Sequence, residues 1–513
     1  MSRISALAFE QEVPIWNSVF IASHLTCLRK VCALNSRTNN TVSRRTFLGT
    51  GAGIASGTLF KLPMAMAQGP AQYQLLAAPS ATYLNGDDNA ATPVLAYNNK
   101  VSGPILRLKQ GEPARIAVAN GLNQETTVHW HGIRIPNAMD GVPGLTQSPI
   151  MAGDNFVYEF TPPDAGTFWY HPHVHSLEQI GRGLAGCLIV EEREAIAVDR
   201  DLVWVLQDWR LNDDGQIADG FGRMMDAAMS GRVGSLVTIN GAKPVDLNVR
   251  AGERIRLRLI NAALARIVAL KIEGHRPIII AVDGQPCEPH EPENGRIVLG
   301  PAMRIDVMLD LQGDPGRSYS IIDDYYEGLS YALTSLSYDH QLPLRPHPPD
   351  APVALPLNQL PQPDLANAVT QEITLQGGMM GGGKLKGVGG MNGMAMPGMN
   401  GGPVWTINGM SMSGDGEVNM APLFTLQRGM TCRITLRNET AWSHTMHIHG
   451  FSMLVLTRNS APVPYRQWQD TILMNPKDKV EAAFVADNPG NWMLHCHITD
   501  HQMTGLMTIF KVT

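Results

Sequence analysis

The sequence contains few charged residues and no long apolar run. Only 17% of its 513 residues are charged, whereas 44% are hydrophobic. It has no uninterrupted apolar window of about 18 residues, so we expect no transmembrane helix. Its 50 glycines and 35 prolines are typical of a turn-rich globular β protein and disfavour long helices and disorder.

Cysteine is also scarce. Two of the six cysteines precede residue 68, and the other four are scattered along the chain at Cys187, Cys287, Cys432 and Cys496. Four scattered cysteines do not form the framework of a disulfide-rich protein. Cys187 lies in an apolar run, so we expect it to be a buried strand residue rather than a metal ligand.

The N-terminal residues have the pattern of an export signal. The pair Arg44-Arg45 is followed by a weakly apolar stretch to about Leu62 and by an A-x-A pattern at residues 65–67. This order predicts a twin-arginine signal over residues 1–67 that is removed after export to the periplasm or beyond. Residues 1–42 exceed the length that such a signal needs, which indicates an extended leader or a misassigned start.

The charge balance favours cations over nucleic acid. Removal of residues 1–67 takes away seven basic and two acidic residues and changes the net charge from −6 to −11. An acidic surface argues against nucleic acid as a partner.

Ten of the sixteen histidines lie in four short clusters, one of which contains a cysteine. The clusters occupy residues 129–131, 171–173, 444–449 and 495–501. Imidazole is the commonest metal ligand, and a thiolate among imidazoles selects copper, iron or zinc over magnesium or calcium. Ten nitrogen ligands and one sulfur ligand exceed the needs of one ion, so the clusters predict several metals.

A repeat divides the chain into domains. A glycine is followed nine residues later by an asparagine at 111–120, 252–261 and 429–438, and each interval contains an alternating, strand-like run. Repeats more than a hundred residues apart indicate tandem domains. We predict an all-β protein with domains at 68–195, 196–342 and 366–513, a proline-rich surface linker at 343–365, and a methionine-rich insertion at 379–420.

The repeat also places the histidines. Nine and eleven residues after the asparagine, the first and third domains have histidines at 129, 131, 447 and 449, whereas the middle domain has Leu270 and Ile272. Each end domain carries a second pair near its end, at 171 and 173 and at 495 and 497. Alternate strand residues share a face. Eight imidazoles should therefore converge between the end domains, which leaves His444, Cys496 and His501 for a separate site.

This arrangement is suited to copper chemistry. Two histidines and a cysteine with a weak or absent axial group form a blue-copper electron-transfer site. Eight histidines fit three further coppers, which together can deliver four electrons to dioxygen and form water. Because Cys496 lies between His495 and His497, it would connect the two sites.

The chain resembles three-domain multicopper oxidases of the laccase and copper-efflux-oxidase type. The motifs HWHG, WYHPH, HTMHIHG and HCHITDHQMTGL carry the resemblance, which covers residues 70–513. It implies three cupredoxin-like Greek-key β-barrel or sandwich domains in a monomer, with dioxygen as acceptor. Four copper ions are implied: type 2 at His129 and His447; type 3 at His173, His449 and His495 and at His131, His171 and His497; type 1 at His444, Cys496 and His501.

Three further positions refine the resemblance. The axial type 1 position is Leu506, where many bacterial relatives have methionine; leucine cannot coordinate, which should raise the potential, and strand alternation should turn Met507 away. Asp140 matches a proton-relay acid of the family, and we assign it to the protonation of reduced oxygen. A loop aspartate that only favours a turn is the alternative. Gln502 stands where relatives often carry another acid.

The signals for the electron donor disagree. The insertion contains nine methionines, and thioethers prefer Cu(I); it resembles the methionine-rich lid of copper-efflux oxidases, with Met391, Met394, Met396 and Met399 as candidate ligands. Low-complexity sequence without a metal role is the alternative. Thr440 and Trp442 replace an aspartate and a methionine of those oxidases, and a tryptophan favours a phenolic or aromatic-amine donor. We expect activity with both kinds of donor.

Other classes of protein fit the sequence less well. A structural zinc site needs four ligands, not eleven. A non-enzymatic periplasmic copper-binding protein would not need all eight histidines of the predicted cluster. A copper nitrite reductase combines type 1 and type 2 sites in trimers and lacks the eight-histidine set.

Overall fold

The computed structural model describes residues 72–86, 90–347, 349, 353–379, 404–412 and 421–513. The predicted export signal and most of the predicted insertion, including Met391, Met394, Met396 and Met399, lie outside the described residues. Strands dominate what is described, and the α-helices found there have only five or six residues. They are α1 (Ser176–Gly181), α2 (Met224–Ala228) and α3 (Thr499–Met503), with 3-10 turns at Asn137–Met139 and Glu293–Gly295.

The first β-sandwich consists of two four-stranded sheets, ordered β2-β1-β4-β6 and β3-β8-β7-β5. Its core is a cluster of buried side chains that includes Val118, Trp130 and Leu188. The strands are β1 (Tyr73–Thr82), β2 (Thr92–Tyr97), β3 (Leu106–Lys109), β4 (Ala114–Asn120), β5 (His129–His131), β6 (Asn155–Phe160), β7 (Gly166–His171) and β8 (Gly186–Glu191).

The middle β-sandwich consists of a six-stranded sheet, β10-β9-β12-β17-β14-β15, and a five-stranded sheet, β11-β19-β18-β13-β16. The strands are β9 (Arg200–Trp209), β10 (Leu236–Ile239), β11 (Leu247–Val249), β12 (Arg254–Asn261), β13 (Val268–Ile272), β14 (Ile278–Val282), β15 (Gln285–His290), β16 (Ile297–Leu299), β17 (Arg304–Asp310), β18 (Ser318–Asp323) and β19 (Tyr331–Tyr338).

The third β-sandwich consists of a seven-stranded sheet, β21-β20-β23-β29-β25-β26 with β27 also paired to β25, and a five-stranded sheet, β22-β31-β30-β24-β28. The strands are β20 (Val369–Gly377), β21 (Trp405–Ile407), β22 (Thr425–Leu426), β23 (Thr431–Asn438), β24 (His444–Ile448), β25 (Met453–Arg458), β26 (Ala461–Pro462), β27 (Trp468–Gln469), β28 (Thr471–Met474), β29 (Lys479–Val485), β30 (Gly490–Cys496) and β31 (Met507–Val512).

The sequence repeat corresponds to the same strand in each sandwich. Strands β4, β12 and β23 each pair in parallel with the first strand of their sandwich and antiparallel with another. The glycine before each strand, Gly111, Gly252 or Gly429, has a positive φ of 79°, 83° or 88°. Glycine adopts this conformation at little steric cost, which explains its recurrence at the turn into the strand.

The asparagine of the repeat fixes the loop that leads to the next sheet. In the first sandwich, Asn120 Nδ2 donates to the carbonyls of Gln124 and Ile150, both at 2.8 Å, and Oδ1 accepts the N–H of Leu122. Asn261 and Asn438 form equivalent bonds in their sandwiches. One buried amide thus satisfies three backbone groups, which a smaller side chain could not do.

Strand β12 shows how the middle sandwich packs against the first. All eight of its residues are buried, because its arginines alternate with aliphatic residues and both faces are covered. Arg256 pairs with Asp306 and with Glu192, and Arg258 pairs with Asp201. Buried arginines require such partners, since an unpaired buried charge is costly.

The proline-rich linker is less superficial than we expected. Leu355 and Leu360 are buried, and Asn358 exchanges hydrogen bonds with the backbone N–H and C=O of Ala165 at 2.9 Å and 2.8 Å. Asn358 also donates to Gln285. The periodicity of the sequence does not predict this contact, because only one asparagine and two leucines make it.

Among the described residues, no helix has the length and apolar character that crossing a bilayer requires.

Candidate metal centre

The predicted ligands are brought together in four buried sets. Within each set the ligand atoms lie within 4.8 Å of one another, and the residues are between 0% and 3% exposed. The four sets contain the residues that the resemblance implies for each copper, and His131 belongs to two of them. They are His129, His131 and His447; His131, His171 and His497; His173, His449 and His495; and His444, Cys496 and His501.

Strand pairing places these side chains. In the first sandwich β5 pairs with β7, so that His129 lies opposite His171. In the third sandwich β24 pairs with β30, so that His447 lies opposite His495 and Met446 opposite Cys496. Each end sandwich therefore contributes two neighbouring strands of ligands, and the cluster forms where the two sandwiches meet.

Several ring nitrogens of the cluster have no hydrogen-bond partner. Among the described residues, Nε2 of His129, His173 and His447 is buried and unpaired. The Nδ1–H of His129 donates to the carbonyl of Asp140 at 2.7 Å, and that of His447 to the carbonyl of Asp470 at 3.0 Å. Because a carbonyl only accepts, each Nε2 carries a free lone pair. Buried polar atoms are rarely left unpaired, so these atoms fit metal ligands.

Other nitrogens face each other as two acceptors. His449 donates Nδ1–H to Asp140 Oδ2 at 2.8 Å, and His495 donates Nδ1–H to the carbonyl of Cys496 at 2.9 Å. Their Nε2 atoms are then both unprotonated, yet they lie 3.1 Å apart. Two lone pairs at this distance repel unless a cation lies between them. The residues of the cluster therefore fit bound metal ions.

Hydrogen bonds from neighbouring residues orient the histidines of the set that contains Cys496. Sγ of Cys496 lies 3.6 Å from His444 Nδ1 and 3.8 Å from His501 Nδ1. The Nε2–H of His444 donates to Thr440 Oγ1 at 2.9 Å, and that of His501 to the carbonyl of Met229 at 2.8 Å. Both Nδ1 atoms therefore face the sulfur with free lone pairs, as ligands of one ion require.

Burial determines the protonation of these ligands in the metal-free protein. It lowers the pKa of His173 and of His501 to about 3. Burial, with His501 nearby, lowers the pKa of His444 well below its usual value. Burial also raises the pKa of the Cys496 thiol to about 12. The imidazoles are thus neutral donors, whereas the thiol loses its proton only when a cation replaces it.

Asp140 contacts two histidines of the cluster. Its carboxylate oxygens lie 3.3 Å from Nδ1 of His129 and 2.8 Å from Nδ1 of His449. The residue is 1% exposed. Its ligand atom lies within 4.8 Å of those of both histidines. Asp140 therefore orients two imidazoles and places a carboxylate beside them.

Leu506 and Met507 belong to different apolar clusters. Leu506 is 0% exposed and packs in the main core of the third sandwich, which also contains Cys496. Its carbonyl accepts the N–H of Cys496 at 2.9 Å. Met507 packs instead with Val142 and Met493, so it is turned away as strand alternation predicted. Gln502 is buried, at 3% exposure, on α3.

Trp405 is a feature of the Cys496 set that sequence reasoning missed. Its fully buried ring lies 5.0 Å from the ring of His444 and 4.5 Å from that of His501, between centroids. Its Nε1–H donates to the carbonyl of Ala227 on α2 at 2.6 Å. No motif surrounds Trp405, which lies inside the methionine-rich insertion, so nothing in its sequence context indicates this position.

Trp442 lies next to Met379, the first residue of the insertion. It is partly buried, and its Nε1–H donates to the carbonyl of Met379 at 2.8 Å. The N–H of Met379 donates in turn to the carbonyl of Ala228 on α2. Met379 at the start of the insertion and Trp405 within it therefore both bond to α2, and the Trp405 ring lies next to His444 and His501.

A buried carboxylate network on the other side of the cluster was also missed. Asp470, 0% exposed, lies 3.2 Å from His131 and accepts two bonds from Arg304 of the middle sandwich. Burial raises the pKa of Asp470, but the Arg304 guanidinium more than offsets this effect and holds it below its usual range. Burial and the nearby Asp470 raise the pKa of Asp283, which also faces Arg304.

Among the described residues, the remaining histidines and the cysteines other than Cys496 lie outside these sets. His175 is about half exposed, 3.8 Å from Glu125. His275 forms a hydrogen bond with Tyr338, and His290 stacks on Tyr465.

Within the described part of the chain none of the cysteines forms a disulfide. Cys187, Cys287, Cys432 and Cys496 are all free and buried, as expected for Cys187 on β8.

Comparisons with known proteins agree with this geometry. Family models described as multicopper oxidase match residues 80–195, 200–338 and 395–513. The multicopper oxidase MmcO of Mycobacterium tuberculosis is 28% identical over 91% of this chain and 96% of its own length. Copper resistance protein A of Escherichia coli is 25% identical over 92% and 99%. The crystal structure of a multi-copper oxidase from Pseudomonas thermotolerans is 33% identical, covers 86% of this chain and 100% of its own, and superposes with a TM-score of 0.75.

Proposed function

Because this chain belongs to the multicopper oxidase family, and is therefore a copper-dependent oxidoreductase that uses dioxygen, we propose that it holds four copper ions. His444, Cys496 and His501 would hold one of them, which would supply the electron-accepting site for the donor. The eight converging histidines would hold the other three. The observation that carries this assignment is the set of unpaired or mutually facing ring nitrogens.

Bound copper supplies the redox chemistry, in which dioxygen, four electrons and four protons give two molecules of water. The protein connects the donor end to the oxygen end through Cys496. Its peptide bond leads directly to His497, and its carbonyl accepts the Nδ1–H of His495 at 2.9 Å. One residue is therefore joined to both metal-ligating neighbours, by a covalent path and by a hydrogen bond.

Asp140 is the residue that we assign to proton delivery. Its carboxylate adjoins the imidazoles of His129 and His449, and Oδ2 is held by the Nδ1–H of His449. In an Asp140→Asn variant the amide oxygen can still accept that bond, but the group cannot carry a proton. We expect kcat to fall by a factor of about 10² to 10⁴ with full copper content. A variant that keeps the wild-type kcat would exclude this role.

The donor is oxidised, in our proposal, at the side of the Cys496 set where Met379 and Trp405 of the methionine-rich insertion contact α2. Both Cu(I) and phenols are proposed donors. Cu(I) is favoured by the nine methionines, by the exposed Met224 and Met225 on α2, and by likeness to a copper resistance protein. A phenolic donor is favoured by Trp442, which lies partly buried next to this stretch.

Oxygen uptake with each donor tests the proposal. In the copper-loaded protein, replacing Met391, Met394, Met396 and Met399 together by leucine keeps the length of the segment and removes the thioethers. We expect the rate with Cu(I) to fall at least tenfold, while the rate with a phenol stays within a factor of two. Equal effects on both donors contradict a Cu(I) role, and no uptake with any donor despite four coppers per chain contradicts the proposed oxidase site.

Export is part of the proposed function. The twin-arginine pattern at residues 44–45 and the A-x-A pattern at 65–67 support a periplasmic or otherwise exported protein. An Arg44→Lys, Arg45→Lys double variant should accumulate inside the cell with its leader uncleaved. Unchanged export of that variant would contradict the proposal.

A further inference from the structure

A guanidinium of the middle sandwich reaches the copper cluster. Arg304 at the start of β17 and Asp470 of the third sandwich are both 0% exposed. Nη1 of Arg304 donates to Oδ1 of Asp470 at 2.8 Å, and Nη2 donates to Oδ2 at 2.5 Å. This two-point contact fixes the plane and the position of the carboxylate.

The carboxylate held in this way faces a predicted ligand. Oδ1 of Asp470 lies 3.2 Å from His131 Nε2, and Oγ1 of Thr471 lies 3.0 Å from the same nitrogen. The Thr471 hydroxyl can donate or accept, and its oxygen lies 2.8 Å from Asp470 Oδ1. The carboxylate can only accept. Asp470 therefore selects the form of His131 that is protonated on Nε2 and leaves Nδ1 free.

His131 differs in this respect from its neighbours in the cluster. His129, His447, His449 and His495 each donate from Nδ1 and present Nε2. In His131 it is Nδ1 that lies 3.4 Å from Nε2 of His171, toward the ligand set. If Nε2 of His131 did not face a carboxylate, which can only accept, the ring could also adopt the tautomer protonated on Nδ1. That Nδ1–H would point at the ligand set.

The surrounding backbone is shaped to admit Arg304. A Cβ on Gly132 would lie 2.2 Å from Arg304 Nη2 and 2.6 Å from Asp470 Oδ2, so only glycine fits next to His131. Asp283 and Ala302 have positive φ values of 50° and 73°. Oδ1 of Asp283 accepts a hydrogen bond from the backbone N–H of Arg304, and the Ala302 carbonyl accepts one from Nη1–H of Arg304. A left-handed alanine is strained and persists only where its surroundings impose it.

We propose that Arg304 is a positioning residue by which the middle sandwich sets the coordinating nitrogen of His131. Through Asp470 it holds the Nε2 proton of His131 and so directs Nδ1 to the copper set with His171 and His497. The middle sandwich has leucine and isoleucine at the positions of the ligands, but it still acts on the cluster through this side chain. The proposal rests on the copper site proposed above.

The test compares Arg304→Lys with Arg258→Lys. Lysine keeps the charge but loses the two-point contact. Arg258 is the matched control because it is equally buried in the same sandwich, pairs with Asp201 and Asp306, and also contacts Thr167. It contacts no predicted ligand among the described residues. Asp470→Asn is the second variant and carries the same test if Arg304→Lys does not fold, because its amide can donate to Nε2.

The main readout is the tautomer of His131 in the copper-free protein, from ¹⁵N spectra of labelled histidine. The signal is assigned by its loss in His131→Gln. We expect protonation on Nε2 in the wild type and in Arg258→Lys, and a mixture of both tautomers in Arg304→Lys and Asp470→Asn. After copper loading, Arg304→Lys and Asp470→Asn should lose about one copper of the cluster and retain the absorption of the Cys496 site.

The outcomes separate this inference from the proposed function. A wild-type tautomer in Arg304→Lys and Asp470→Asn overturns the inference, and so does an equal change in Arg258→Lys. A wild-type protein that shows the expected tautomer but binds fewer than four coppers counts against the proposed copper sites and leaves the positioning role of Arg304 supported.

Discussion

At the scale of single residues, Cys496 is the group whose chemistry changes most when metal binds. In the metal-free fold its thiol is buried and protonated. When copper binds, the proton must leave, and the thiolate then lies between two neutral imidazoles. A single side chain thus couples metal binding to proton release.

A Cys496→Ser variant should lose the blue absorption and the oxidation of donors, because a hydroxyl does not replace a thiolate ligand of copper. We expect it to lose one copper per chain and to keep those of the histidine cluster. Metal analysis, visible absorption and oxygen uptake check this. Cys432→Ser is the control, since Cys432 is a fully buried free thiol away from the ligand sets; blue absorption in Cys496→Ser would contradict the assignment.

A Leu506→Met variant should lower the reduction potential of the Cys496 site, because a thioether at the axial position donates to the oxidised metal. Each shift of about 59 mV changes the equilibrium constant of one-electron transfer tenfold. Redox titration of the visible band measures the shift. Met507→Leu is the matched control, as Met507 packs in another cluster, and an equal shift in both variants would show that packing, not coordination, sets the potential.

The ligands could be predicted from the sequence because the repeat places them at fixed distances from a recognisable asparagine. Asp470, Arg304 and Trp405 could not, since each acts through a contact that only the folded chain creates. In the sequence, Thr440 stands out only as a departure from copper-efflux oxidases. The structure gives it a role, because its hydroxyl oxygen holds Nε2 of His444.

At the scale of secondary structure, the strands that follow the repeat glycines were predictable and the helices were not. Alternation of apolar residues identifies β4, β12 and β23. The helices α1, α2 and α3 span five or six residues, too few for a helical period to show. Yet α3 carries His501, and it is tied to the middle sandwich because Asp500 Oδ2 accepts the N–H of Arg232 at 2.7 Å.

The repeat asparagines allow a comparison between equivalent loops. Replacing Asn438 or Asn261 by alanine leaves buried backbone groups unpaired, and each change should cost about 1–3 kcal/mol of stability. Only Asn438 also holds Thr440 and, through it, His444. We therefore expect Asn438→Ala, but not Asn261→Ala, to alter the visible absorption. Denaturant unfolding and spectra of both variants check this, and an unchanged spectrum in Asn438→Ala would contradict it.

At the scale of the whole molecule, burial of many neutral histidines makes the copper-free protein sensitive to acid. Histidine titrates near pH 6.5 in an unfolded chain, whereas burial lowers the pKa in the fold, to about 3 for His173 and His501. As pH falls below about 6.5, the unfolded state takes up protons that the folded state does not. The contribution of these histidines to the free energy of unfolding is therefore fully present above that pH and is lost as the pH falls below it.

Each such histidine contributes a slope of up to about 1.4 kcal/mol per pH unit. Asp208, Asp283 and Asp500 act in the opposite direction, because burial raises their pKa values, to about 6 for Asp500, and the fold then binds their protons first. The histidines outnumber these three carboxyls, so we expect the free energy of unfolding of the copper-free protein to fall between about pH 6.5 and pH 4. Denaturant titrations across this range measure it; a constant or rising value would contradict the prediction.

The division of the cluster between the first and third sandwiches means that neither sandwich alone contains a complete set of its ligands. The site comes into existence only after the last strands have been made and have docked on the first sandwich. The cluster can therefore bind copper only in a chain that is complete through these strands and correctly docked. Bound copper would stabilise the contact between the first and third sandwiches, because it binds the folded chain and not the unfolded one.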